Sequence, residues 1–248
     1  RALACAPPPP QPDVSRYYAK PRDAATAGYI MQQTMVRVKE PKASLDFYCD
    51  VLGFNLIMMR SFPQWSFNVY FVAQTDPAEI PTDEDARWAY CMRTPGCIEL
   101  TWNYGSEAEE GRVYNTGNSD STGSADGAKV RGGFGHLGIT VPDVYEACER
   151  YAPPAYAPAC RCKSPQPAVV RSPRGMCPRA SDNASRFAKL GCDFAKTPNA
   201  GGMKGLAFVR DPDGYLIEVL PQGPMITKPT DCAGVALDGG DGYKDNAK

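Results

Sequence analysis

Four side chains in this sequence could do chemistry together. His136 is the only histidine among 248 residues. Glu99 and Glu218 each sit inside an apolar run, Cys97-Ile-Glu-Leu100 and Leu216-Ile-Glu-Val219. A carboxylate in a strand of that kind is unexpected, because burying it unpaired costs several kcal/mol. A metal ion is one partner that offsets this cost. Adding Gln33 gives two carboxylates, one imidazole and one amide oxygen, a donor set that suits a borderline divalent ion. Octahedral geometry would leave two positions for water or substrate. Taken singly, each residue has a plainer reading: a glutamate on a solvated strand face, a satisfied surface or core histidine, a glutamine without a role. A single histidine also excludes any metal site that takes two imidazoles from one chain.

An internal repeat joins the four. Gln33-Thr-Met-Val-Arg-Val-Lys-Glu-Pro41 matches His136-Leu-Gly-Ile-Thr-Val-Pro-Asp-Val144, each an alternating strand running into a helix start. Tyr48-Cys-Asp-Val-Leu-Gly-Phe54 matches Phe187-Ala-Lys-Leu-Gly-Cys-Asp-Phe194 as helix ends. Strands follow in both halves: Phe54 to Arg60, Phe67 to Ala73 and Cys97 to Trp102 in the first, Asp193 to Lys196, Leu206 to Val209 and Tyr215 to Leu220 in the second. Asp211-Pro-Asp-Gly214 marks a hairpin turn. The expected fold is α+β: two βαβββ repeats forming curved mixed sheets. Superposed, Gln33 falls on His136 and Glu99 on Glu218. Arg37 lies four residues beyond Gln33, so strand alternation puts both on one face.

Composition narrows the partners. Lys and Arg total 27 against 28 Asp and Glu, so there is no electrostatic footprint for nucleic acid or an anionic membrane. No run approaches the roughly 18 apolar residues of a membrane span. The apolar content of 43% is enough for a globular core. The ten cysteines have irregular spacing and do not form a disulfide framework. Cys49, Cys91, Cys97, Cys148 and Cys192 sit among apolar residues and read as small core hydrophobes. Cys160 and Cys162 are too close together for a zinc knuckle. A reducing, cytoplasmic compartment is expected, or a plastid if residues 1–12 end a transit peptide.

Three segments lack folding signals. Residues 1–27 are rich in Ala and Pro and read as an extended tail. Residues 227–248 are polar, rich in Gly and Asp, and read as a flexible tail. Residues 151–186 hold seven prolines, which exclude helix and central strand alike. Without them the flanks join as one amphipathic helix with Ala147, Phe187 and Leu190 on one side and Gly191 as its stop. This segment reads as an insertion, or as retained non-coding sequence, and 121–130 as a second insertion. The folded unit is expected over 28–226, with repeats at 28–120 and 133–220.

Five stretches carry a family resemblance: QQTMVRVKEPKASLDFYCDVLGF at 32–54, IELTWNYG at 98–105, NTGNSD at 115–120, GFGHLGITVPDVYEACER at 133–150 and MKGLAFVRDPDGYLIEVL at 203–220. Together they resemble the glyoxalase I (lactoylglutathione lyase) family of the vicinal-oxygen-chelate superfamily, in its eukaryotic zinc-type branch, where a Gln holds the first ligand position. The resemblance implies that Gln33, Glu99, His136 and Glu218 bind one divalent ion per site, zinc in preference to nickel or cobalt. It implies glutathione as co-substrate and the hemithioacetal of methylglyoxal and glutathione as substrate. A proton would move from C1 to C2 through an enediolate stabilised by the metal, giving S-D-lactoylglutathione. Glu218 would be the main proton carrier and Glu99 would serve the opposite enantiomer, with carboxyl pKa values raised by a dry pocket. Arg37 and Asn103 would grip the glutamyl carboxylate, joined by Arg131, which stands one residue further from His136 than the family places it. Lys196 and the Met203 backbone would hold the glycyl end. Phe62, Phe67, Val69 and Phe71 would be core, some of them walling the thiol pocket.

Each half supplies only two of the four ligands, so two halves must face one another, from one chain or from two. The connection from Asn103 to His136 is long enough to reach a neighbouring subunit, and the resemblance implies a homodimer with active sites between subunits. Three rival readings remain. One is a metal-free binding protein of the same fold, one an extradiol dioxygenase, which needs two His, and one an inactive product disrupted by the insertions.

Overall fold

A computed structural model describes residues 12–18, 20–118, 132–151, 191–201 and 203–223. The first half runs β1 (Gln33–Val38), α1 (Pro41–Leu45), β2 (Asn55–Phe62), β3 (Phe67–Ala73), α2 (Glu84–Arg93) and β4 (Cys97–Asn103). The second runs β5 (Leu137–Val141), α3 (Val144–Tyr151), β6 (Asp193–Lys196), β7 (Ala207–Arg210) and β8 (Leu216–Pro221). Each half makes one four-stranded mixed sheet, in the orders β1-β4-β3-β2 and β5-β8-β7-β6. The first and last strands of each half pair in parallel and the others antiparallel. This is the α+β fold expected from the repeat.

Local chemistry explains the element ends. Glu40 caps α1 by accepting from the backbone N–H groups of Lys42 and Ala43, and Pro41 takes the first helical position. The helix continues as a π turn over Asp46–Val51 that turns Phe47, Tyr48 and Val51 inward. Gly53 then reverses the chain at φ 78°, a conformation that favours glycine. Asp211-Pro-Asp-Gly214 forms the expected β7–β8 turn, with the Gly214 N–H donating to the Asp211 carbonyl at 3.0 Å.

The structure adds α2, which the sequence pattern does not announce. Its residues EDARWAYCMR carry no broad apolar stripe, and only Cys91 is buried. Asp83 caps it by accepting from the Ala86 N–H, and Trp88 meets Phe71 edge-on with ring centroids 6.1 Å apart. Helix α3 ends at Tyr151, one residue inside the segment read as an insertion. The rest of that segment, with Phe187 and Leu190, lies outside the described residues, as do 121–130 and 227–248. In the N-terminal tail, Asp13 and Asp23 accept from the N–H groups of Ser15 and Ala25. They support two 3-10 turns, Ser15–Tyr17 and Ala24–Thr26, that bury nothing. Short side-chain-to-backbone bonds of this kind order single turns without a core. Among the described residues no helix is long and apolar enough to cross a membrane.

One core joins both halves. Val36, Val38, Val72, Ile98 and Leu100 of the first sheet and Ile139, Ala207, Val209, Ile217 and Val219 of the second pack around Phe47, Tyr48, Val144 and Cys148. Strand alternation therefore leaves Gln33, Arg37, Glu99 and Glu218 on the opposite faces. Polar bonds clasp the halves at one edge. The Tyr48 hydroxyl donates to Asp211 Oδ2 at 3.0 Å, and the Lys39 N–H donates to Asp213 Oδ1 at 3.0 Å.

Asp211 is 5% exposed, and burial pushes its carboxyl up to about 6 despite the hydrogen bonds it accepts. A raised folded-state value favours the protonated form. The stability it contributes is present at pH 4 and is lost as the pH climbs toward 6. Asp211→Asn, which cannot ionise, removes that slope. The variant should therefore lose more stability relative to the native chain at pH 4 than at pH 7, by on the order of 2–3 kcal/mol. Urea midpoints of both proteins at the two pH values measure this, and parallel pH slopes would refute it.

Candidate metal and substrate site

Gln33 opens β1 and its amide donates to Glu99 Oε2. The other carboxylate oxygen, Glu99 Oε1, accepts from the Thr101 hydroxyl at 3.0 Å. Glu99 lies opposite Met35 across the parallel pair and opposite Phe71 across the antiparallel one. In the second sheet His136 immediately precedes β5, and its Nε2 stands 2.9 Å from Glu218 Oε2. Glu218 lies opposite Gly138 and Phe208. The two arrangements are equivalent: in each sheet, the residue two beyond the first-strand donor faces the glutamate. Phe208 packs edge-on to the His136 ring at 5.3 Å. The Glu218 side chain is 16% exposed, against 38% for His136.

The chemistry of the donors fits a borderline divalent ion, and each pair is already in contact. Among the described residues, however, no three His, Cys, Asp or Glu side chains come together as a metal centre. Within one chain Glu99 stands apart from His136 and Glu218. Gln33 and His136 border one cavity of about 480 Å³ between the starts of β1 and β5. One chain thus carries two half-sites, each with one carboxylate and one neutral donor.

The substrate candidates distribute over the same faces. Arg37 is exposed on the Gln33 face, opposite Thr101. Asn103 ends β4 on that face, and its Nδ2 donates to the Tyr114 hydroxyl at 3.1 Å. Lys196 pairs with Phe208 and so shares the face of Glu218. Its ammonium donates to the Leu206 carbonyl at 2.7 Å, and burial holds its pKa below the usual lysine range. Met203 is 57% exposed in the loop before β7. Arg131 lies outside the described residues. Val69 and Phe71 are buried, while Phe62 and Phe67 are half-buried and stack with the exposed Trp65. Trp102 gives its indole N–H to Glu107 at 2.9 Å.

Sequence reasoning did not name Thr101 or Tyr114. Thr101 carried a usable signal, since it stands two residues from Glu99 and must share its face. Tyr114 carried none, because a loop side chain has no periodicity to place it. Of the five cysteines named as core, Cys91, Cys97 and Cys148 are buried and Cys49 and Cys192 half-buried. Burial pushes the thiols of Cys148 and Cys192 up, to about 12 and about 11.

Comparison with known proteins agrees with this architecture. Residues 30–153 match the model of the Glyoxalase/Bleomycin resistance protein/Dioxygenase superfamily. The chain is 37% identical over 203 residues to a lactoylglutathione lyase of Pseudomonas putida, covering 82% of this chain and 91% of that protein. It is 35% identical over 198 residues to the lactoylglutathione lyase of Pseudomonas aeruginosa, covering 80% and 85%. With the lactoylglutathione lyase of Schizosaccharomyces pombe it shares 31% over 209 residues, 84% of this chain but 50% of that longer protein. The chain belongs to the glyoxalase superfamily and, within it, to the lactoylglutathione lyase family.

Proposed function

We propose that this chain is a glutathione-dependent isomerase that converts the hemithioacetal of methylglyoxal and glutathione to S-D-lactoylglutathione. The observation that carries the reading is the repeated half-site: Gln33 with Glu99 and His136 with Glu218, at equivalent register in two sheets. These four residues would hold one divalent ion, zinc in preference to nickel or cobalt. When bound, the ion supplies Lewis-acid stabilisation of the negative charge that develops on the two substrate oxygens.

The chain's own residues do the rest. Glu218 takes the proton from C1 and returns it to C2. Phe208 and Leu216 flank it on the same face, which screens it from water. Glu99 serves the opposite substrate enantiomer, and the Thr101 hydroxyl holds one of its oxygens in place. Arg37 and Asn103 stand on the Glu99 face, where a guanidinium and an amide suit the glutamyl carboxylate of glutathione. Arg131 would add a second cation. Lys196 shares the face of Glu218 and, with the Met203 backbone, would hold the glycyl end.

Two half-sites on one chain complete a four-ligand centre when two copies face each other. The assembly is accordingly a homodimer with shared sites. The exposed apolar residues Met35 and Trp65, at 43% and 66% exposure, belong to the face that such pairing would cover. The compartment proposed is the cytoplasm.

The test is spectroscopic. Purified chain mixed with preformed hemithioacetal should generate thioester absorbance. Chelation should abolish the signal and zinc should restore it most fully. Binding of the hemithioacetal without turnover, unaffected by chelation, would instead assign a metal-free binding protein.

A further inference from the structure

We propose that Cys91 and Cys97 are a reversible oxidation site: a thiol pair that peroxide closes to a disulfide at the root of β4 and that glutathione reopens, lowering turnover while it is closed. Cys91 lies near the C-terminal end of α2 and Cys97 is the first residue of β4. Thr94, Pro95 and Gly96 form the turn between them. Both thiols are buried, at 0% and 1% exposure, in one apolar cluster with Met58, Val69 and Phe71. Each thiol is the neighbour that acts most strongly on the other's ionisation. The Gln32 amide donates to the Cys91 carbonyl at 3.0 Å and to the Cys91 sulfur at 3.9 Å. The Cys97 thiol donates to the Thr94 carbonyl at 3.2 Å. Thr94 ties the two residues together, because its N–H donates to the Cys91 carbonyl at 3.1 Å.

A small oxidant has a route. The cavity of about 480 Å³ is lined by Thr94, Pro95, Gly96 and Cys97 as well as Gln33. Hydrogen peroxide fits such a space and supplies the two-electron change. The Cys97 sulfur attacks one peroxide oxygen and the O–O bond breaks, leaving a sulfenic acid on Cys97 and one water. The Cys91 sulfur then attacks the Cys97 sulfur. The S–S bond forms, the S–O bond breaks, and the hydroxyl leaves as a second water with the Cys91 proton. Two glutathione thiols reverse the step and leave as glutathione disulfide.

The link reaches the half-site through the backbone. Cys97 faces Gln33 across the parallel pair, and its N–H donates to the Gln32 carbonyl at 2.8 Å. Glu99 stands two residues further along β4. An S–S bond is about 2.0 Å long, well inside the contact distance of two unbonded sulfurs. Closing it draws the start of β4 toward α2 and so shifts Gln33 against Glu99. The effect on turnover rests on the proposed isomerase reading, whereas the link itself does not.

The experiment treats the purified full chain with peroxide, blocks free thiols and digests with trypsin. Cleavage after Arg87, Arg93 and Arg112 puts the two cysteines on separate peptides, 88–93 and 94–112. Mass spectrometry should find these two joined after peroxide and separate after glutathione. Turnover should fall several-fold and return with the same treatments. Cys91→Ser and Cys91→Ala should keep their turnover under peroxide. A treated chain with no joined peptides, or with sulfinic acid on Cys97 instead, overturns the site. Joined peptides with undiminished turnover, or Cys91 variants as sensitive as the native chain, overturn the coupling to β4. A chain without isomerase activity at any stage would refute the proposed function and leave the joined peptides as the readout.

Discussion

Glu218→Gln should keep most of its metal and lose turnover by at least about a hundredfold. The amide retains an oxygen that can stay beside His136 Nε2, where the carboxylate stands at 2.9 Å. It cannot accept a proton from carbon, so the loss should fall on kcat, with KM for the hemithioacetal changing little. Metal content by elemental analysis and single-turnover formation of thioester separate the two effects. The size of the loss follows from the site. Glu218 is 16% exposed and lies opposite Phe208, so no solvent base can stand in for it. Turnover near that of the native chain would remove Glu218 from the proton transfer. Loss of the metal together with the activity would make it only a ligand.

Mixing two inactive chains should restore activity. Glu99→Ala lacks one half-site and Glu218→Ala lacks the other. If sites are shared between subunits, a heterodimer of the two variants contains one site with both glutamates intact and one with neither. Random exchange makes about half of the dimers mixed, so about a quarter of native turnover per chain is expected. The expectation rests on the separation of Glu99 from the His136–Glu218 pair within one chain. No recovery after confirmed subunit exchange would mean that each site is completed within a single chain.

Much of this arrangement is legible in residue order because it depends on short-range geometry. Alternation with a period of two sends Val36 and Val38 to one side of β1 and Gln33 and Arg37 to the other. The match of Cys97-Ile-Glu-Leu100 with Leu216-Ile-Glu-Val219 puts both glutamates away from the core in equivalent strands, as the registers bear out. The π turn after α1, the cap supplied by Glu40 and the turn at Gly214 are likewise local. What the residues within a few positions of one another decide, the sequence by itself determined: the repeat, its strands and the faces on which the four donors lie.

Only the tertiary structure decided which side chains meet across long separations. Tyr48 and Asp211 are 163 positions apart, and no periodicity connects them; packing of the two halves into one core brings the hydroxyl onto the buried carboxylate. Helix α2 has too weak an apolar stripe to announce itself, and it is stabilised by the Asp83 cap and by contacts of Trp88 and Cys91 with the sheet beneath. That same packing sets Cys91 against Cys97, although each reads alone as an ordinary buried thiol. The separation of Glu99 from His136 and Glu218 also belongs to this level. Residue order aligns the donors of the two repeats one onto another, but alignment is not proximity. The faces of the two sheets that carry α1 and α3 share one core, so the donors lie on the opposite faces and do not converge within the chain.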